Sequence, residues 1–412
     1  MTPTVNRERL WTRLQQLAAI GTNGGRRHRR PYGADHVEAV ALVASWLREA
    51  GADPFLEESA TLVGLLQGGD TSAPAVGLGS HLDTVPDAGA FDGALGVVAA
   101  VEVLQTLREH GVTPPRSIAA LAFADEEGND LGIGVLSAQL WTGAIRVERW
   151  DEIRDGEGRS LASLLDAFDV PGVPRRSRPA LAAYLELHVE QGPTLDRDHV
   201  PAAAVEGIVG IERTTVVFTG AANHAGTTPM ALRRDALWGG ADLAVAVRAM
   251  AVETGERAVA TVGVFEVCPG ATNVVPGQVR LRVEMRSLDA ALLARLRSQV
   301  EARARQAASR FGLEVALDPW HLSPPVEMHP SAFAATRDAL VDAGLPVRSM
   351  PSWAGHDAKV LAAAVPTGML FVPSRGGISH APGEYTDPQS CADGTQALLY
   401  AALRMAASDV LG

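Results

Sequence analysis

Three apolar stretches, "AVGLGSHLD", "SIAALAFADEEGN" and "AAYLELHVEQGP", read as short buried strands, and each runs out into histidine or carboxylate residues. Helical patterns alternate with them. "HVEAVALVASWLREAGA" has apolar residues at helical spacing and stops at Gly51, and "ALGVVAAVEVLQTLREHG" separates the first two strands. Such alternation predicts an α/β catalytic domain with a largely parallel mixed sheet flanked by helices. Ligands of these sheets gather beyond the carboxyl ends of the strands. His81 with Asp83, Glu126 with Glu127, and His188 each stand at such an end. The expected fold therefore brings metal-type side chains from three strands to one edge.

From about Gly207 the pattern changes. "ERTTVVFTG" has period-two character, "ALRRDALWGGADLAVAVRAMAVE" is a long helix, and "AVATVGVFEV" and "GQVRLRVEMRS" are strands joined through "NVVPG". A second, Ala- and Arg-rich helix and the strand "LEVALDP" follow. This β-α-β-β-α-β order predicts an inserted ferredoxin-like α+β domain over residues 207–324, between catalytic-domain segments 1–206 and 325–412. A chain of 412 residues is long enough for two such bodies.

Composition narrows the chemistry. A formal charge of −12 argues against nucleic acid or an anionic membrane as partner, and no apolar run approaches the ~18 residues of a membrane span. The N-terminal "MTPTVNRERLWTRLQQL" is an amphipathic helix without the apolar core of a signal peptide. With only Cys268 and Cys391, disulfides are not expected and the cytosol is the expected compartment. Any metal must be held by His, Asp and Glu. The basic run "GGRRHRRPYG", Arg26 to Arg30, reads as a solvated loop; the alternative is an anion-contacting loop near a substrate carboxylate.

A hydrolytic site with two metals needs a bridging carboxylate, imidazole and carboxylate terminal ligands, and a base beside the attacking water. His81 supplies an imidazole, and Asp83 is placed to hydrogen-bond its other ring nitrogen. Asp92, at a helix start in "FDGALGV", is placed to bridge. In "DEEGN" two adjacent carboxylates at a strand end would point oppositely, one toward a metal and one toward water. Asp87 reads as an ordinary loop residue.

These pieces carry a resemblance. "GSHLDTVPDAGAFDGALGV", "ADEEGN", "ELHVEQGP", "NHAGTTPM", "ATNVVPG" and "GISHAPGEYT" resemble, in this order, the signature blocks of the carbamoylase and allantoate amidohydrolase branch of the aminoacylase/carboxypeptidase-type dinuclear metallohydrolases. The resemblance spans nearly the whole chain. It implies His81, bridging Asp92, Glu127, His188 and His380 as ligands of two divalent ions (Zn, or Mn, Co or Ni), and Glu126 as general base. Peptidase relatives tend to carry a carboxylate where His188 stands. Gln191 matches a glutamine kept beside the metals. His224 matches a histidine that in relatives crosses a homodimer to polarise the scissile carbonyl, and Asn273 matches a second substrate-binding residue. Arg286 would pair with a substrate carboxylate, whereas His356 and Asp357 are expected behind the metals or in the wall. Trp353 stands where relatives usually have glycine, and Ile211 where many have glutamine.

The reaction implied is hydrolysis of a linear ureido C–N bond, with an N-carbamoyl-L-amino acid giving L-amino acid, ammonia and carbon dioxide. Allantoate, ureidoglycolate or a β-ureido acid offers the same group near a carboxylate. An aminoacylase or dipeptidase fits His188 less well, and a non-catalytic metal-binding protein would be expected to have lost Glu126 or a ligand.

Overall fold

The computed structural model describes residues 3–128 and 130–408, so Asn129 of the "DEEGN" motif lies outside the described residues. The chain divides into two compact units, one of residues Met1–Glu206 with Met328–Gly412, the other Gly207–Glu327.

The first unit opens with α1 (Arg7–Ala19) and α2 (Ala34–Glu49), then β1 (Asp53–Leu56), β2 (Leu62–Leu66) and β3 (Ala75–His81). There follow α3 (Ala94–Glu109), β4 (Ile118–Phe123), α4 (Leu136–Thr142), α5 (Leu161–Ala167), β5 (Leu181–Val189), α6 (Thr194–Asp198) and β6 (Ala203–Ile208). β3 and β4 are buried along their whole lengths, as strands covered on both faces must be. α3 is apolar around nearly its full circumference and is buried from Ala94 to Leu107 apart from Gln105. Its buried charge, Glu102, is met by Arg9 of α1 at 2.7 Å.

The second unit consists of β7 (Gly210–Thr219), α7 (Ala236–Glu253), β8 (Ala258–Cys268), β9 (Gln278–Ser287), α8 (Ala290–Phe311) and β10 (Glu314–Ser323). Its sheet runs β8-β9-β7-β10, antiparallel throughout, which is the ferredoxin-like order. Burial alternates residue by residue along β9, because only one face is covered by helix. Val216, Phe218, Leu281 and Met285 on that face pack with Leu243, Leu296 and Val300 of the helices. Asp289 caps α8 by accepting the Leu292 N–H, and Gly312 ends it in the left-handed conformation.

The chain then completes the first unit with α9 (Pro330–Asp342), β11 (Ser349–Ser352), α10 (Asp357–Leu361), β12 (Thr367–Val372) and α11 (Pro388–Ala406). The nine-stranded sheet contains the run β6-β12-β5-β3-β4-β2-β1, with β11 beside β6. β12, β5, β3 and β4 are mutually parallel, while β6, β2 and β1 pair antiparallel at the flanks. The sheet is thus mixed with a parallel centre. Chain order reverses between β3 and β5, and the crevice at such a switch point is where an open α/β sheet takes its ligands.

Candidate metal centre

β3 ends on His81, β5 carries His188 as its penultimate residue, and the loop from β3 enters α3 through Asp92 and Gly93. These elements meet at the switch point, where the His81 and His188 rings lie 5.9 Å apart at 29°. Gly93 has φ +64°, and a Cβ there would fall 2.5 Å from the His81 ring. Only glycine lets the helix start this close to the imidazole.

Asp92 is the hub. Its Oδ1 lies 3.1 Å from His188 Nε2 and 3.5 Å from His81 Nε2, and its Oδ2 lies 3.1 Å from His380 Nε2. The opposite ring nitrogens fix the tautomers. His81 Nδ1 is 3.0 Å from the Asp83 carbonyl and His188 Nδ1 is 2.9 Å from the Val189 carbonyl, so both protons belong there and the Nε2 lone pairs face inward. His380 stands on the loop after β12 at φ 54° and reaches Glu127 Oε1 at 3.6 Å. Burial opposes ionisation of Asp92, yet contacts with His188, His380 and His81 hold its carboxyl well below the usual range. The Asp92 contact, against burial and with help from Glu127, raises His380 to about 9. Imidazole nitrogens and carboxylate oxygens converge here, a donor set of the kind that holds divalent cations.

The carboxylate pair departs from the alternation expected of a strand end. β4 stops at Phe123, Asp125 adopts φ 55°, and Glu126 and Glu127 lie in a turn. Both face one centre as a result: Glu126 Oε2 lies 3.9 Å from His81 Nε2, and Glu127 lies beside His380. Asp83 holds the turn, accepting the Glu126 N–H at 3.0 Å and the Glu127 N–H at 3.2 Å, besides lying 3.6 Å from His81 Nδ1. Burial, opposed by His81 and reinforced by Glu127, raises the Glu126 carboxyl well above its ordinary value. Burial and Asp92 raise Glu127 to about 7. Four groups of ligand atoms lying within 4.8 Å of one another occur among the described residues: His81, Asp92 and His188; His81, Glu126 and Glu127; Asp92, Glu127 and His380; and, behind them, Glu186, His188 and His356.

Gln191, at φ 60° after β5, donates its amide N–H to Asp92 Oδ2 at 2.8 Å. His356 is buried with its ring 4.5 Å from that of His188 and its Nε2 2.9 Å from Ser352 Oγ, so it backs His188. Asp357 is buried, with neither carboxylate oxygen hydrogen-bonded among the described residues. Trp353 is half-buried in the turn after β11.

In the second unit, His224 and Asn273 are brought together: Asn223–His224 pairs with Val274–Val275, and the Ala225 N–H donates to the Asn273 carbonyl at 2.9 Å. His224 is exposed, and its Nδ1 accepts from Gly226 and Thr227, which leaves Nε2 as the outward donor. Arg286 lies on the helix-free face of β9, directly opposite Ile211, with its Nε 2.7 Å from Glu284.

Two buried carboxylates escaped the reading of the sequence. Glu384 accepts the Phe91 and Asp92 N–H groups at 2.8 and 3.0 Å and takes the Ser379 hydroxyl at 2.9 Å, which ties the His380 loop to the start of α3. Its signal was position, four residues beyond His380 on one loop. Glu186 shares a strand face with His188 and binds Ser80 Oγ and the Ala358 N–H, both at 2.8 Å. Period-two spacing was enough to find it.

The model of peptidase family M20/M25/M40 matches residues 77–404, and the chain belongs to that family. Within it, the chain falls in the hydantoinase/carbamoylase branch of metal-dependent amidohydrolases. An N-carbamoyl-L-amino acid amidohydrolase of Geobacillus stearothermophilus is 36% identical over 404 residues, covering 97% of this chain and 98% of that protein. The allantoate amidohydrolase of Escherichia coli K12 is 32% identical, over 93% and 94% of the two chains. A hydantoinase/carbamoylase family amidase from Burkholderia multivorans superimposes with a TM-score of 0.93 at 32% identity, over 99% of this chain and 100% of that one.

Proposed function

We propose that this chain hydrolyses the ureido C–N bond of N-carbamoyl-L-amino acids, giving the L-amino acid and a carbamate that decomposes to ammonia and carbon dioxide. The observation that carries the reading is Asp92, shared by three imidazoles with the partly buried Glu126 adjacent. The names of the relatives supply the substrate class. His81, Asp92, Glu127, His188 and His380 would hold two divalent ions, Zn or else Mn, Co or Ni. When bound, such ions lower the pKa of water and polarise a carbonyl oxygen.

The chain's own groups do the rest. Glu126 accepts the proton of the attacking water, keeps it in a site whose burial favours the neutral acid, and returns it to the departing nitrogen. Asp83 holds His81 in its tautomer through its backbone carbonyl and the Glu126 backbone in place through its carboxylate. His224, through its outward Nε2–H, and Asn273 donate to the developing oxyanion. Gln191 orients Asp92, and Arg286 binds the α-carboxylate while sharing Glu284. The second unit would act as a lid and as the seat of a homodimer that supplies His224 to the other copy. A free buried thiol, Cys391, and an exposed one, Cys268, suit a cytosolic enzyme.

Ammonia release from metal-loaded protein, given a panel of N-carbamoyl-L-amino acids, allantoate, ureidoglycolate, β-ureidopropionate and N-acetyl amino acids, tests this. The highest kcat/KM should fall on an N-carbamoyl-L-amino acid. Faster turnover of allantoate would assign the chain to that substrate instead, and turnover of N-acetyl amino acids alone would make it an aminoacylase.

A further inference from the structure

The four arginines of the basic run Arg26 to Arg30 each engage partners within the chain. Thr22–Asn23 and Arg26–Arg27 form a small hairpin turned by Gly24 and Gly25, both at positive φ. The chain beyond it lies along the loop that joins His81 to Asp92. The Thr84 and Ala88 N–H groups donate to the Arg29 and Arg27 carbonyls at 3.2 and 3.0 Å, and the Arg29 N–H donates to Thr84 Oγ1 at 2.9 Å. The Arg26 guanidinium grips both carboxylate oxygens of Asp87, a residue held at φ 60° in that loop.

Arg29 goes deeper. It is fully buried, and among the described residues no carboxylate lies within ion-pair distance of it. Its donors reach two backbone carbonyls instead, Leu82 just after His81 at 2.8 Å and Leu17 of α1 at 3.2 Å. Burying a guanidinium without a counter-ion is costly. Here it fixes the first peptide of the loop to a helix that is itself packed on α3. Arg30 faces the other way, pairing at 2.5 Å with Asp130, three residues after Glu127.

We infer that the Arg26–Arg30 segment is a positioning clamp for the metal centre, setting from outside the distance between the loop of His81 and Asp92 and the turn of Glu126 and Glu127. None of its side chains takes a place in the ligand groups. The inference rests on the metal-binding reading above. It does not depend on which substrate is cleaved.

The test is equilibrium binding of Zn²⁺ alone to the apo protein, by competition with a chromophoric chelator, with the apo melting temperature recorded alongside. Removing partners that orient metal ligands weakens affinity by about 10- to 100-fold. Arg29→Met should fall in that range. Arg30→Ala, which breaks an exposed pair of little weight for folding, should weaken Zn²⁺ about threefold at an unchanged apo melting temperature. The exchange Arg30→Asp with Asp130→Arg should restore it. Arg404→Ala, which breaks the exposed Arg404–Asp342 pair of the same unit, is the control and should leave affinity as it was. Wild-type affinity in Arg29→Met and Arg30→Ala, or an equal loss in Arg404→Ala, would overturn the clamp alone. Failure of the wild type to take up Zn²⁺ would remove the metal centre with it.

Discussion

Replacing Glu126 by glutamine keeps the shape of the side chain and removes its ability to carry a proton. Glu126→Gln should bind both ions as the wild type does, while turnover of an N-carbamoyl-L-amino acid falls by at least about 10²-fold. Elemental analysis and single-turnover kinetics on one preparation decide it, and near-normal turnover would move the base elsewhere. A second residue adds to the pH dependence of stability. His36 is buried against Phe168 at 5.0 Å between ring centroids, its Nδ1 accepts the Tyr32 N–H, and burial lowers its pKa from 6.5 to about 4. Above pH 6.5 it costs nothing. As pH falls from 6.5 toward 4 the unfolded chain takes up a proton that the folded one refuses, which removes up to about 3 kcal/mol of stability. In His36→Asn, where an amide oxygen still accepts from Tyr32, denaturant-measured stability should fall less steeply across that window.

At the scale of elements, the start of α3 is where the site is most exposed to backbone error. A methyl group at Gly93 would both strain a positive φ and press on the His81 ring. Gly93→Ala should therefore lose metal affinity by an order of magnitude or more while the far-UV spectrum is kept, and a variant that binds zinc normally would show that α3 is free to shift. Much of this scale was legible in the sequence. Apolar runs marked β3, β4 and β5 because a doubly covered strand shows little else, and His81, the Glu126–Glu127 pair and His188 stood at or just beyond their ends. The turn at Glu126 was not legible, since nothing in "ADEEGN" announces that Asp125 takes a left-handed conformation. Glu384 and the buried role of Arg29 were missed for a shared reason: each acts on peptide groups of another segment, and such a contact leaves no periodicity.

For the whole molecule, the first expectation is self-association. The second unit ends its sheet on β8, an edge strand with Val259 and Phe265 exposed, next to α7 with Val245 and Val252 exposed. Sedimentation should give a homodimer, and charges placed at Val245 and Val252 should yield a monomer that still binds metal but turns over slowly. A monomer of full activity would end the cross-subunit part assigned to His224.

The second unit is also an interruption, and its endpoints matter. The chain leaves the first unit at Glu206 and returns at Met328, whose N–H donates to the Glu206 carbonyl at 3.0 Å. If the intervening stretch of about 120 residues were still random coil, closing that single hydrogen bond would cost roughly 4 kcal/mol of chain entropy. If the stretch has already folded, Ile208 and Val326 face each other in a ladder and the two ends are delivered side by side. Order of folding thereby becomes a property of the topology: the guest that matures first acts as a staple for its host, and the β12–β6 pairing that completes the central sheet should be the last to gain protection from hydrogen exchange after dilution from denaturant.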